Sequence, residues 1–177
     1  LEGLADLVAM KVKTPAEFLG EAADCDALLN TYAGPITAAD MGKMPKCKII
    51  ARYGIGVDTI DLEAATAAGI IVTNNPTYCI EEVADHAMAL LMTCARKVAF
   101  YDRQVRAGVW AVPPGKPMFR LAACTLGLVG YGNIARQVAV RAAAFGMRVI
   151  YADPFVKQGQ FDTPGTKVEL EIGRAHV

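Results

Sequence analysis

The stretch that most constrains the fold is residues 125–154, TLGLVGYGNIARQVAVRAAAFGMRVIYADP. Residues 126–129 are apolar enough for a buried strand, and Gly130, Gly132 and Ala135 follow at the spacing G-x-G-x-x-A. A helical pattern comes next, with Ile134, Val138, the stem of Arg141 and Phe145 expected on one face. Gly146 stands where a helix-ending glycine belongs, and the apolar run 148–152 stops at Asp153. A glycine motif alone says little. Strand, glycine loop, helix, strand and acid in this order predict a βαβ unit that cradles a dinucleotide, because each part has a mechanical task. Gly130 permits the tight turn, Gly132 lets backbone approach a pyrophosphate, and Ala135 keeps the helix close to the sheet. The helix N-terminus then faces the phosphate charge. Asp153, 21 residues beyond Gly132, is placed to accept ribose hydroxyls. Its charge would repel a 2′-phosphate, so the pattern reads as NAD rather than NADP.

The rest of the chain bounds the function classes. Its 177 residues leave room for one large domain or two small ones. The 18 basic residues balance the 18 acidic ones, so nothing electrostatic points to nucleic acid or an anionic membrane. The longest apolar run, 88–95, is far below the roughly 18 residues of a membrane span. Five cysteines (Cys25, Cys47, Cys79, Cys94, Cys124) form no C-x-x-C pair. They read as buried free thiols in a reducing, cytoplasmic setting, and no metal site is expected. The chain opens at Leu1, without Met, inside an amphipathic pattern. Its last seven residues, EIGRAHV, resemble the in-frame translation of a sequencing adapter. Residues 171–177 are therefore expected to be a non-native tail.

The first half alternates short strands with helices, which predicts a parallel sheet and the α/β class. Strands are expected at 7–10, 27–30, 47–52 and 69–73. Helices are expected at 15–23, entered through Thr14 and Glu17, at 36–42 through Thr37, and at 62–68. Ligands of such sheets gather beyond the carboxyl ends of the strands. Two segments lie there. In 52–58, Gly54 and Gly56 could turn successive amides outward as an anion nest beside Arg52, and the spacing fits equally a carboxylate clamp or a plain strand-to-helix turn. In 74–78, Pro76 stops the sheet and Tyr78 offers a polar tip, a weak signal by itself. Residues 81–106 carry the longest helical pattern, with Val83, Ala87, Leu90 or Leu91, Cys94 and Val98 as its buried stripe. His86, mid-helix among acids and alanines, reads as structural rather than as a base. Residues 112–115 form a connector, and 167–170 offer a last short strand.

Together these segments resemble the D-isomer-specific 2-hydroxyacid dehydrogenases. The match rests on RYGIGVDTID at 52–61, Asn75-Pro76 leading into the V-A-D-H helix at 83–86, Gly108-Val109-Trp110, and TLGLVGYGNIA through Asp153-Pro154. The nearest branch holds phosphoglycerate dehydrogenase, hydroxypyruvate reductase and the C-terminal-binding-protein-like members. The resemblance implies a flavodoxin-like substrate domain at 1–78 and the first part of a Rossmann-type NAD domain at 79–170. It implies that the Gly54-Ile55-Gly56 amides hold a substrate carboxylate with Arg52 nearby, and that Tyr78 faces substrate. Cys79 stands where many members carry a dinucleotide-touching Ser. Gly130, Tyr131, Gly132, Asn133, Ile134 and Ala135 would cradle the pyrophosphate, and Asp153 the adenosine ribose. The family's catalytic Arg, Glu and His are expected beyond Val177, so the chain reads as an N-terminal fragment without turnover. The intact protein is expected to reduce a 2-keto acid to the D-2-hydroxy acid, or the reverse, as a homodimer. A corepressor that uses NAD to stabilise a peptide-binding dimer is the alternative.

Overall fold

Strands that alternate with helices in sequence must cross over to pair in parallel, and two small parallel sheets result. The computed structural model describes residues 3–31 and 33–169. The chain divides into two compact units, Leu1–Tyr78 and Cys79–Val177.

In the first unit, helix α1 (Leu19–Ala22) precedes strand β1 (Ala27–Asn30), and α2 (Ala38–Met41) leads to β2 (Ile49–Arg52). Helix α3 (Leu62–Ala67) then leads to β3 (Ile71–Thr73). The strands pair in parallel in the order β1-β2-β3, with Ala27 opposite Ile49 and Ile49 opposite Ile71. The starts at Thr14 and Thr37 follow the residues expected of them, and Asp61 caps a third helix for which no capping residue was expected. The Asp40 carboxylate accepts from the Thr37 amide and hydroxyl at 2.9 and 2.7 Å, and Asp61 Oδ1 accepts from the Ala64 amide at 2.9 Å. Glu17 likewise accepts from the Thr14 amide at 3.1 Å. That pair opens a 3₁₀ turn, Pro15–Glu17, so the helix expected at 15–23 is two short pieces. Ile50, in the middle strand, is 0% exposed and packs with Ile36, Met44, Ala65 and Ile70.

The strand expected at 7–10 does not form. Leu7, Val8 and Met10 are exposed, and extended backbone becomes a strand only when a neighbour accepts its hydrogen bonds. No described segment does so.

The second unit begins with α4 (Ile80–Ala95) and α5 (Val98–Arg106), followed by β4 (Thr125–Val129), α6 (Asn133–Ala144), β5 (Arg148–Ala152) and β6 (Thr166–Lys167). Its sheet is parallel in the order β4-β5-β6. Residues 81–106 are thus two helices. Lys97 takes a left-handed φ of 54°, the Arg96 amide closes α4 on Met92 O at 2.9 Å, and the Tyr101 amide opens α5 on Lys97 O at 3.0 Å. No Pro or Gly marks this break, which is why periodicity runs through it. The buried stripe of α4 is also rotated. Ala84 and Met88 are buried, with Ala87 and Leu91 packed beside them, whereas Val83, Leu90, Cys94 and Val98 are exposed. On α6 the buried residues are Val138, Ala139 and Ala142, and Phe145 is exposed. Small side chains let α4 and α6 approach closely, so alanine rather than the large apolar residues marks the seam.

Arg141 then reaches across that seam. Its Nη2 lies 2.5 Å from Glu81 Oε2 and its Nε 2.6 Å from Asp85 Oδ1. The acids that open α4 therefore serve its dipole and bind its neighbour. Gly146, at φ 73°, ends the α6 turn in the left-handed region as expected. Of the strand expected at 167–170, residues 166–167 pair with β5, and Leu170 with the 171–177 tail lies outside the described residues. Among the described residues no helix is long and apolar enough to cross a membrane.

Substitutions at two positions test this packing by urea denaturation. Ile50→Ala removes a fully buried side chain and is expected to cost about 3 kcal/mol. Arg141→Ala is expected to lower the denaturation midpoint and Arg141→Lys to lower it less; an unchanged midpoint in Arg141→Ala would show that the α4–α6 ion pairs contribute nothing.

Candidate functional site

In the first unit, β2 delivers Arg52 to its carboxyl end, opposite Asn30 in the β1 register. Arg52 Nε donates to Gly56 O at 3.0 Å and Nη1 donates to Asn30 Oδ1 at 3.3 Å. Asn30 is 3% exposed and is itself fixed by donating from Nδ2 to Ala33 O at 2.6 Å. The 74–75 segment ties down the other side of the loop: Asn74 Nδ2 donates to Ile55 O at 2.8 Å and the Asn75 amide donates to Gly54 O at 3.1 Å. The carbonyls of Gly54, Ile55 and Gly56 are all engaged. Their three amides donate to no acceptor among the described residues.

This is a donor-rich turn backed by a guanidinium, chemistry suited to a carboxylate. It is not a left-handed nest, because neither Gly54 nor Gly56 has a positive φ. The donors come instead from carbonyls pulled inward. Asn30 and Asn74, which hold the loop, were not singled out from sequence; a polar residue ending the apolar run ALLN was the available signal for the first. Tyr78 is exposed, with its amide donating to Asn75 O at 3.3 Å.

In the second unit, Gly130 turns the chain at φ 87°, beyond β4. Gly132 caps α6 at φ −73° and ψ −168°, and no side chain accepts from the helix start. The amides of Gly132, Asn133, Ile134 and Ala135 have no acceptor among the described residues. Asn133 Oδ1 is taken up by Arg136, whose guanidinium also lies 3.7 Å from the centre of the Phe161 ring. Ile134 and Ala135 pack against the core. The helix therefore begins with an open set of donors and its positive dipole end.

Gly132 has no internal reason to be glycine. Its backbone angles suit any residue, and a Cβ built there meets no atom within 4 Å. The space above it is open.

Asp153 is bound into the protein more tightly than its expected role requires. Oδ2 accepts from the Tyr131 amide at 2.7 Å, and Oδ1 accepts from the Phe155 and Val156 amides at 2.8 and 3.1 Å. The amide of Tyr131, then that of Phe155, hold its carboxyl below the usual carboxylate range by favouring the charged form. Asp153 thus locks the end of β5 to the glycine loop while Oδ2 keeps acceptor capacity for a hydroxyl.

Tyr131 is the clearest departure from a ligand-facing loop. Its ring is 2% exposed and stacks on Tyr151 with centroids 3.8 Å apart and planes 9° off parallel. Its hydroxyl donates to Pro164 O at 2.5 Å and lies 3.0 Å from Thr163 Oγ1. With the amide on Asp153, Tyr131 holds the loop from beneath. The stacking partner is 20 residues away in sequence, so no local pattern announced it.

Cys79 caps α4 with φ 47° and no side-chain cap bond. His86 is exposed on α4. Among the described residues no three His, Cys, Asp or Glu side chains come together as a metal site.

A family model described as D-isomer specific 2-hydroxyacid dehydrogenase, catalytic domain, matches residues 2–163. A glyoxylate reductase of Korarchaeum cryptofilum is 47% identical over 134 residues, covering 73% of this chain and 40% of that protein. A D-3-phosphoglycerate dehydrogenase of Mycobacterium leprae is 42% identical over 142 residues, covering 79% of this chain and 26% of that protein. The crystal structure of D-lactate dehydrogenase from Aquifex aeolicus, complexed with NAD and lactic acid, superposes with a TM-score of 0.77 at 27% identity. That match covers 85% of this chain and 45% of the other. The chain thus spans less than half the length of each of these three.

The Asp153 geometry carries a pH signature. Because folding lowers its pKa, the stability it contributes is present above the ordinary carboxylate pKa of about 3.9 and is lost as pH falls through the folded value. Asp153→Asn is expected to lower the urea midpoint at pH 7 and to flatten its fall on the acid side; parallel acid limbs in the two proteins would count against the lock.

Proposed function

The chain belongs to the D-isomer specific 2-hydroxyacid dehydrogenase family, and from that membership we propose that its second unit binds NAD. Its first unit, on the same reading, holds the carboxylate of a 2-hydroxy or 2-keto acid, and the whole protein interconverts the two. One observation carries the cofactor assignment: Gly132 is a glycine that neither backbone conformation nor packing requires, beside four open amides at a helix start. A ligand that must touch backbone supplies the missing reason. The NAD and lactic acid bound to the Aquifex aeolicus relative support the same reading.

Gly132, Asn133, Ile134 and Ala135 would hold the pyrophosphate through backbone amides, with Gly130, its own amide donating to Ala152 O, supplying the turn and Tyr131 supporting the loop from the core. Asp153 would accept from the adenosine ribose with the capacity left on Oδ2, and its charge disfavours NADP. Cys79, at the start of α4, would touch the dinucleotide on the same family reading. The bound dinucleotide supplies or takes up hydride. Arg52 and the Gly54, Ile55 and Gly56 amides would orient the acid by its carboxylate, with Tyr78 near the end of that unit. Hydride transfer to a carbonyl also needs a proton donor and a fixed cation at the developing alkoxide. We assign neither role to a residue of this chain. The reductase and dehydrogenase names of the relatives favour catalysis over a corepressor role, and a homodimer is part of the family reading.

Calorimetric titration tests the cofactor assignment. Gly132→Ala is expected to leave the thermal midpoint of the chain unchanged and to weaken NAD about tenfold or more, equivalent to ~1.4 kcal/mol. Equal affinity in the two proteins, or no NAD binding by the parent sequence, would overturn it.

A further inference from the structure

Cys25 and Cys47 stand outside both candidate sites, and the β1–β2 register brings them together. Ala27 pairs with Ile49 across the sheet, and the same offset continues toward the strand entries. The Lys48 amide donates to Asp26 O at 2.9 Å. Lys46 Nζ lies 2.5 Å from Asp24 Oδ1 and Lys48 Nζ 3.9 Å from Asp26 Oδ1. Residues 24, 25 and 26 therefore face 46, 47 and 48, rung by rung, and the middle rung is a pair of thiols. The Cys47 thiol is near enough to raise the pKa of Cys25, while Cys47 Sγ itself donates to Ile49 O at 3.5 Å. Neighbouring strands lie about 4.8 Å apart, inside the roughly 4.4–6.8 Å Cα separation that a disulfide spans. Both side chains pack on the same core cluster, so both point to one face of the sheet.

Access differs between them. Cys47 is buried, whereas Cys25 is half-buried and lines a groove of about 250 Å³ beside β1, together with Leu7, Met10 and Phe18. Small reagents reach one sulfur, and the second waits behind it.

We propose that Cys25 and Cys47 form a reversible dithiol–disulfide site that cross-links the entries of β1 and β2. With a small-molecule disulfide such as oxidised glutathione as oxidant, the Cys25 thiolate attacks one sulfur and releases a first reduced thiol. The Cys47 thiol then loses its proton and attacks Cys25 Sγ, and the second reduced thiol leaves. Two protein thiols are oxidised and one small disulfide is reduced to two thiols. Burial, then the neighbouring Cys47, push the Cys25 thiol up to about 11, so Cys25 rests protonated at neutral pH and reacts through its small thiolate fraction.

The test is oxidation of the full chain with oxidised glutathione at pH 8, quenching with acid, and peptide mapping without reductant. The expected product is one Cys25–Cys47 linked peptide, about 2 Da lighter than its two separate thiol peptides. Titratable thiols after denaturation fall from five to three and return to five with dithiothreitol. Cys25→Ser is expected to abolish the linkage, whereas Cys94→Ser leaves it intact. A persistent glutathione adduct on Cys25 alone, a linkage that uses Cys79, Cys94 or Cys124, or five thiols remaining would overturn the proposal.

Discussion

Parallel pairing is the constraint on which the rest of this structure depends. A parallel strand cannot return by a tight turn, so every connection crosses over, through α2, α3 and α6 or, between β5 and β6, through the helix-free loop 153–165, and every strand of a sheet finishes at the same edge. The loops that matter are therefore gathered without any attraction between them. The loop after β2 is reached by Asn30 from the end of β1 and by Asn74 and Asn75 just beyond β3. The glycine loop after β4 is reached by Asp153 just beyond β5. In each unit the neighbour's end residue satisfies a backbone group that the turning chain would otherwise leave unpaired, and amides are left open for something else.

That division of labour changes how individual residues are understood. Arg52 is a cation near a donor-rich turn, but it donates to Gly56 O and to Asn30, so its first effect is to shape the turn. Asp153 fits a ribose-binding carboxylate, yet three backbone amides already converge on it. Tyr131 sits between two glycines and ends in the core on Tyr151. Groups that build a site and groups that face its ligand differ, and a spacing motif does not distinguish them. Gly132 is informative in the opposite way, because nothing inside the protein uses its lack of a side chain.

The second unit shows the same separation in its helices. Periodicity reveals that 81–106 is helical but passes over Lys97, where a left-handed residue divides α4 from α5 without Pro or Gly. It also weights large apolar residues, whereas the α4–α6 seam is made by Ala84, Ala139 and Ala142, all fully buried. Close approach, not side-chain size, selected that face, and the approach in turn lets Arg141 bridge Glu81 and Asp85.

Local chemistry was legible in the residues alone. The α/β class, the strands at 27–30, 126–129 and 148–152, the helix starts at Thr14 and Thr37 and the glycine loop with its acid all rest on short-range rules of sterics, capping and alternation. Family membership was legible for the same reason, since ordered motifs carry it. Tertiary structure decided what depends on partners distant in sequence: that 7–10 finds no strand to pair with, that Asn30 and Asn74 hold the Gly54–Gly56 turn, and that Tyr131 turns inward. It also decided that Cys25 faces Cys47. A residue's own preferences limit its backbone, but its hydrogen-bond and packing partners are settled only when sheet register and helix approach bring remote segments together.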